Sequence, residues 1–361
     1  KQYNVQPETI IGLTFNRNAA EQMRQRLIPV LGELAQRVTL STIHSWCHYL
    51  LRTEGRVFEI ISGKEQISMI RNLMKRKRLD LSVGTILSEI SLAKNNLIGV
   101  EEFRALYESD KTMIKVANIY ESYEKEKAKK YLLDFDDLLL ETYFLLNNND
   151  AVREKYAGRY HHILIDEFQD TNPVQLEIIK LIVDTDNDHD KSYWIAGDDW
   201  QSIYSFAGAS VNNILNFQST FSSSTLFILN INYRSTPQIL KACQNLISHN
   251  VRKIEKTLKT DNPGGDDVIV LESSSEEGEA LCLVNEIHDL VGQRGYQYKD
   301  IAVLYRANFQ SRVVEETFAQ MKIPYYIENG LNFYQRSEVR YLLDYLRLIN
   351  DPDSEEGAKH E

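Results

Sequence analysis

His161-His162-Ile163-Leu164-Ile165-Asp166-Glu167-Phe168-Gln169-Asp170-Thr171-Asn172 is the stretch on which the fold turns. Ile163–Ile165 is a short apolar, β-branched run, and two acids end it. A buried strand of a parallel sheet reads this way when it delivers carboxylates to the sheet's carboxyl edge, where α/β proteins bind ligands. One acid there can hold a hydrated Mg²⁺, and the next can polarise a water against a γ-phosphate. Strand alternation sends Asp166 and Glu167 to opposite sides of the local backbone. The bare pair also fits a strand followed by an acidic capping turn. The polar run Phe168–Asn172 weakens that second reading.

The same rhythm extends in both directions. Thr9–Phe15 reads as a buried strand, and Asn16 or Asn18 can cap the helix whose apolar face is Ala19, Ala20, Met23, Leu27, Val30, Leu31 and Leu34. Val38–Ser41 is a second strand, followed by Thr42-Ile43-His44-Ser45 and another helix. Strand, loop, helix, repeated, predicts a parallel α/β sheet. From about Glu65 to Asn147 apolar residues recur at helical spacing and strand signals are few, which predicts an all-helical insertion. The rhythm then resumes at His161–Asp166 and Ser192–Ala196. Further strands are expected at Leu226–Leu229, Val268–Leu271 and Ile301–Tyr305, and a leucine-rich helix at Glu338–Ile349.

Composition narrows the class. The chain has 361 residues, long enough for two or three domains. With 43% hydrophobic and 26% charged residues it folds rather than staying disordered. A net charge of −11 excludes a small, wholly basic nucleic-acid binder, though a local basic groove on an acidic body remains compatible. Cys47, Cys243 and Cys282 are too dispersed for a disulfide framework or a clustered zinc site and fit a reducing, cytoplasmic setting. No run predicts a membrane span or a signal peptide. The chain opens at Lys1 in mid-pattern and reads as a fragment.

Four other segments carry chemistry. Gly197-Asp198-Asp199-Trp200-Gln201-Ser202-Ile203-Tyr204 follows a strand and suits a sensor of phosphate and metal, or a turn with capping acids. Trp200, Tyr204 and Phe206 crowd it, and aromatics at a polar edge stack on bases or fill a core. Asn232-Tyr233-Arg234-Ser235 offers an Arg to neutralise a transferring phosphoryl group, or simply a surface ion pair. His44, with Thr42 and Ser45, fits a phosphate-backbone contact or a capping histidine. The basic runs at 75–78 and 125–130 fit solvated helix faces better than nucleic-acid contacts. His161-His162 has no spaced partner for a metal.

The order and spacing of these segments resemble the UvrD/Rep/PcrA family of superfamily 1A DNA helicases. Thr14–Ala20 is similar to motif Ia, Thr42–Ser45 to motif Ib, Leu133–Leu138 to the LDFDDL segment, and Asp166–Asn172 to motif II. Gly197–Gly208 resembles motif III, Asn232–Ser235 motif IV, and Ile301–Arg312 and Gly330–Arg340 match second-domain segments. The resemblance covers nearly the whole chain. It implies RecA-like P-loop NTPase lobes with parallel sheets, divided as 1–64 and 148–231 for the first lobe, 65–147 for the helical insertion and 232–361 for the second lobe.

It also implies ATP with Mg²⁺ in the cleft and DNA, single-stranded or forked, across the lobes, with repair or replication proteins as further partners. Asp166 would hold Mg²⁺ through water and Glu167 would activate the attacking water. Gln201 would sense the γ-phosphate, Arg234 would act as an arginine finger, and Tyr233 would stack on adenine. Phe15, Tyr204, Phe206, Arg306 and Asn308 would contact DNA bases, and Thr42, His44 and Ser45 the backbone. The implied activity is ATP-driven 3′→5′ translocation and unwinding.

Three departures stand out. No GxxxxGK with a following Ser or Thr occurs in the 361 residues, and the family places that loop, with its adenine motif, before motif Ia. Motifs V and VI would follow the C-terminus. Phe206-Ala207 and Asn16-Arg17-Asn18 replace Trp-Arg and Thr-Asn-Lys. A helicase–nuclease subunit and a non-hydrolysing nucleic-acid scaffold are the competing readings. No nuclease motif favours the former, and a scaffold has no chemical need for Asp166, Glu167, Gln201 and Arg234 together.

Overall fold

The computed structural model describes residues 5–77, 81–183 and 191–328, and six helical positions between 339 and 349. Two compact units divide the chain, residues 1–264 and 265–361.

The first unit opens with β1 (Ile10–Thr14), α1 (Arg17–Leu31), β2 (Thr39–Thr42) and α2 (Ile43–Thr53). Both helices start at polar caps that follow their strands directly. Asn16 Oδ1 accepts from the Ala19 amide at 2.8 Å, and Thr42 Oγ1 from the Ser45 amide at 3.1 Å. A cap of this kind satisfies one of the orphan N–H groups of a helix start and contributes about 1 kcal/mol. After the two-residue β3 (Glu59–Ile60) come α3 (Gly63–Lys77), α4 (Val83–Asn95), α5 (Val100–Leu106) and α6 (Lys111–Lys129). Then follow β4 (Leu132–Leu133), α7 (Phe135–Asn148) and α8 (Asp150–Arg159). The insertion is helical as its periodicity predicts, except that β4 pairs in parallel with β3.

The chain then returns to the sheet through β5 (His162–Ile165), α9 (Pro173–Val183) and β6 (Ser192–Ile195). Strand order is β2-β1-β5-β6, and every neighbouring pair is parallel. Two one-turn helices, α10 (Asn212–Leu215) and α11 (Phe217–Thr220), and then α12 (Pro237–Ile247) complete this unit. Its core joins Ile11, Leu13, Ile163 and Ile165 of the strands to Trp46 and Leu50 of α2 and Ile178 and Ile179 of α9. The insertion has a core of its own, built on Ile70, Ile86, Ile90, Val116, Ile119 and Tyr123. Each such aliphatic side chain contributes roughly 1.5–3 kcal/mol on burial.

The second unit packs α13 (Glu276–Gly292) against α14 (Ser311–Gln320) over Val284, Ile287, Phe318 and Ile323. Here the strand expectations fail. Leu226–Leu229 in the first unit, and Val268–Leu271 and Ile301–Tyr305 in the second, form no ladder among the described residues. Leu229, Val270 and Leu304 are about nine-tenths exposed. β-Branched apolar sequence favours extended backbone, but a strand needs a partner presenting aligned N–H and C=O groups. The nearest approach is an isolated parallel bridge between Ile231 and Lys259. The Gly330–Arg340 segment and the helix expected at 338–349 lie largely outside the described residues.

Candidate nucleotide and nucleic-acid site

Parallel pairing delivers the carboxyl ends of all four sheet strands to one edge. Thr14 and Thr42 are register partners, and the Asp166 amide donates to Leu13 O at 2.9 Å. The acidic loop after β5 therefore begins beside the end of β1. Strand alternation stops there, because Glu167 has φ 52° and ψ 43°. A left-handed conformation in a residue with a Cβ costs roughly 1–3 kcal/mol and persists only where surroundings enforce it. This turn, not the pleat expected from sequence, separates the two acids. The Phe168 amide then donates to Ala196 O at 3.0 Å, locking the loop to the end of β6.

Gln169, buried, bridges the two loops. Its Nε2 donates to Glu167 Oε2 at 2.7 Å, and its Oε1 accepts from the Asp198 amide at 2.9 Å. Gly197 is required by this closeness, since a Cβ there would lie 2.7 Å from Gln169 Oε1. Burial raises the carboxyl of Asp166, aided by the neighbouring charge of Glu167. Burial followed by the charge of Glu167 pushes Asp170 up to about 6. Asp170 Oδ1 is a buried acceptor without a hydrogen bond, and Thr14 Oγ1 at the end of β1 is likewise unpartnered. Neither Asp166, Glu167 nor Asp170 is in an ion pair among the described residues, so this edge carries uncompensated negative charge. Three acids without a cation, one with an orphaned oxygen, form a donor set that fits a hard oxygen-seeking ion such as Mg²⁺.

The acids after β6 are differently occupied. Lys256 Nζ bridges Asp198 Oδ1 at 2.5 Å and Asp199 Oδ1 at 2.7 Å, and sits 4.7 Å from the Trp200 ring centroid. Burial works to raise the Asp198 carboxyl, but the Lys256 ammonium and the Gln201 amide outweigh it and hold it low. Gln201 Nε2 donates to Asp198 Oδ2 at 2.7 Å. The Ile254 amide donates to Asp199 Oδ2, and the Trp200 indole to Ile254 O. These bonds fasten the segment around 254–256 to the β6 loop.

Beyond the acids stands a row of aromatics. Phe15 and Tyr204 have ring centroids 5.0 Å apart, and Tyr204 and Phe206 5.9 Å. Phe15 and Phe206 are 41% and 61% exposed, so apolar ring surface is left open to stacking. Thr42 and Ser45 hydroxyls bond each other at 2.9 Å and line, with Arg17 and Arg24, a cleft of about 190 Å³. His44 lies edge-on to Phe135, and burial lowers its pKa, leaving it a neutral hydrogen-bonding group at pH 7.

Tyr233 and Arg234 are exposed in an Asx turn whose Asn232 Oδ1 accepts from the amides of Arg234 and Ser235. Among the described residues no hydrogen bond, ion pair or ring contact links them to Asp166 or Glu167. Arg306 and Asn308 belong to the second unit, around a 3₁₀ turn leading into α14.

Residues 1–222 match the model of the UvrD/REP helicase N-terminal domain, and residues 227–359 that of the UvrD-like helicase C-terminal domain. The chain belongs to the UvrD/REP helicase family. It is 35% identical to the ATP-dependent DNA helicase PcrA of Bacillus subtilis, aligned over 98% of this chain and 48% of that protein. It is 36% identical to the PcrA of Staphylococcus epidermidis (96% and 48%) and 34% to a probable DNA helicase II homolog of Mycoplasma capricolum (97% and 50%). The chain thus spans about half the length of these curated relatives. The parallel sheet with its flanking helices is the RecA-like α/β fold of the UvrD/REP family.

Two members of this UvrD/REP edge escape sequence reading as site residues. Gln169 stands in plain view in the acidic loop, yet its bridging role needs the β6 loop 29 residues on. Lys256 is 57 residues from Asp199 in an unremarkable polar stretch, with no local signal to mark it.

Proposed function

We propose that this chain is the motor portion of an ATP-dependent DNA helicase or translocase that moves 3′→5′ on single-stranded DNA and opens forked duplexes in repair or replication. The observation that carries this reading is the uncompensated acidic loop, Asp166, Glu167 and Asp170, beside the open aromatic row Phe15, Tyr204 and Phe206. The first suits a metal–nucleotide and the second unpaired bases. The division into 1–64, 65–147, 148–231 and 232–361 belongs to the same proposal.

In this reading Asp166 holds Mg²⁺ through water. An ion held there would supply positive charge against the terminal phosphates of ATP. Glu167 takes a proton from the attacking water, and Gln169 fixes the Glu167 carboxylate by its 2.7 Å bond. Gln201 reports the γ-phosphate through its bond to Asp198. Tyr233 stacks on adenine, and Arg234 stabilises the transferring phosphoryl group once the lobes close. Phe15, Tyr204 and Phe206, with Arg306 and Asn308, engage bases. Thr42, His44 and Ser45 engage the phosphate backbone.

The test is ATP turnover by the intact protein with and without single-stranded DNA, alongside a strand-displacement assay of defined polarity. DNA-stimulated turnover and unwinding from a 3′ tail are expected. Equal turnover with and without DNA removes the coupling, and DNA binding with no turnover favours a scaffold. Residues 1–361 by themselves, which carry no GxxxxGK loop, are expected to turn over ATP well below about 1 s⁻¹.

A further inference from the structure

Three segments meet on one buried side chain that no motif contains. Asn95 closes α4 and is 4% exposed. Its Oδ1 accepts from Asn172 Nδ2 at 2.6 Å, so it holds the last residue of the acidic loop. Its Nδ2 donates to Asp136 Oδ1 at 3.1 Å and Ser91 Oγ at 3.3 Å, within the helical insertion. Its Cβ and Cγ form the floor under Gly208, the residue that ends the aromatic loop. A Cβ at Gly208, which has φ 87°, would lie 3.1 Å from Asn95 Cβ.

Each contact is itself anchored. Asn172 exchanges hydrogen bonds with Gln175 at the start of α9, at 2.9 and 3.2 Å. The Ser210 amide and Asn213 Nδ2 both bond Thr171 O at 3.0 Å, tying the chain after Gly208 to the acidic loop. Lys94, next to Asn95, is buried and bonded to Asp134 at 2.8 Å and Asp137 at 2.6 Å, which clamps the end of α4 to α7. A packed amide with every partner satisfied has little room to move unless its partners move with it.

We infer that Asn95 is a positioning residue that sets the aromatic loop 204–208 against the acidic loop 166–172, so that bases stacked on Tyr204 and Phe206 bias the geometry of Glu167. The inference rests on the reading under Proposed function and deepens it. Asn95 touches neither nucleotide nor DNA there. Its effect is confined to the gain in turnover that DNA brings.

The experiment measures ATP turnover of the intact protein, as wild type and as Asn95→Ala, without DNA and at saturating oligo(dT), together with oligo(dT) affinity. The stimulation ratio of Asn95→Ala is expected to fall by roughly 3- to 30-fold, the range seen when coupling residues are removed. Turnover without DNA and DNA affinity are expected to stay near wild type. Gly208→Ala provides a second route, since a Cβ there would lie 3.1 Å from Asn95 Cβ at a backbone φ of 87° and so disturbs the seating of the aromatic loop on Asn95. At saturating oligo(dT) the stimulation ratio is expected to fall while turnover without DNA stays near wild type, with DNA affinity falling as well because Tyr204 and Phe206 move, and that loss of stimulation decides the matter should Asn95→Ala not fold. Wild-type stimulation in both variants overturns this inference alone. A proportional fall of basal and stimulated turnover overturns it too, because that is the mark of a merely structural residue. A wild type unstimulated by DNA overturns the functional reading and this inference with it.

Discussion

Two acidic clusters in the first unit are built from the same residue types and treated in opposite ways. In the helical insertion, Asp134, Asp137 and Glu124 surround the ammonium groups of Lys94 and Lys127 at 2.6–3.0 Å, with Lys127 also bonded to Asp137. Both lysines are about 1% exposed. The two aspartates share the cations unequally: the ammoniums overcome burial at Asp134 and hold its carboxyl far below the ordinary range, while burial prevails at Asp137 and pushes it up to about 6. At the sheet edge, Asp166 and Asp170 have no such cation among the described residues, and burial raises both. Glu124, Asp134 and Asp137 lie close enough together to suggest a metal site, yet the lysines already occupy their centre. Carboxylates bonded to buried lysines are spent on structure. Carboxylates left with unfilled acceptors are available to a cation that comes from outside.

That contrast is most exposed to failure at Glu167. In the intact protein Glu167→Gln should lower turnover by about 10²–10⁴-fold while ATP and DNA affinities hold, since the carboxylate of Asp166 and the aromatic row are untouched. Side-by-side binding and steady-state kinetics with Asp166→Asn check it. Near-normal turnover would hand the water to Asp170 or Gln201.

Lys94→Met probes the other cluster. Removing one cation from a buried network leaves acids uncompensated and should cost about 3–5 kcal/mol in urea unfolding. A loss near zero would mean that solvent reaches the cluster and that the two regions differ less than their burial implies.

Phe206→Ala separates function from stability at the edge. Base stacking on an aromatic contributes about 1–3 kcal/mol, so single-strand affinity should fall by roughly 5- to 150-fold. Stability should shift by no more than about 0.5 kcal/mol, because the ring is largely exposed. Anisotropy titration and thermal unfolding on one preparation distinguish the two.

The smallest effect expected is a pH dependence. The Asp170 carboxyl is raised in the fold to about 6, so the folded state binds its proton more tightly than the unfolded chain does. Its contribution to stability is full below the unfolded pKa of about 3.9 and is lost as pH rises through about 6. Asp170→Asn should therefore melt higher than wild type at pH 8, with the advantage fading as pH falls through 6. Added Mg²⁺ should narrow the gap at pH 8 by stabilising the ionised wild type. Parallel melting curves from pH 4 to 8 would show Asp170 to be solvated after all.

Much of the first unit was legible in residue order because its signals are local. Asn16 and Thr42 cap the helices that their positions after β1 and β2 demand, and the acids after β5 fall at the carboxyl edge that a parallel sheet requires. The extended runs Leu226–Leu229, Val268–Leu271 and Ile301–Tyr305 form no ladder among the described residues, because propensity specifies one chain of a ladder and pairing needs two. The bonds of Gln169 to Asp198 and of Lys256 to Asp199 leave no local signal for a related reason: each joins partners dozens of residues apart.

Sequence by itself determined the family, the parallel α/β rhythm, the run of helices between the second and fifth strands and the place of Asp166 and Glu167 at the sheet's carboxyl edge, since period, caps and motif order are properties of neighbours along a chain. Only the tertiary structure decided which acids are free. Nothing local distinguishes Asp134 from Asp166. The difference is that folding brings Lys94 and Lys127 to the first, and gives the second a left-handed turn at Glu167 with no lysine paired to it among the described residues. Charge compensation is a through-space property, falling off with distance and solvent rather than with position in the chain.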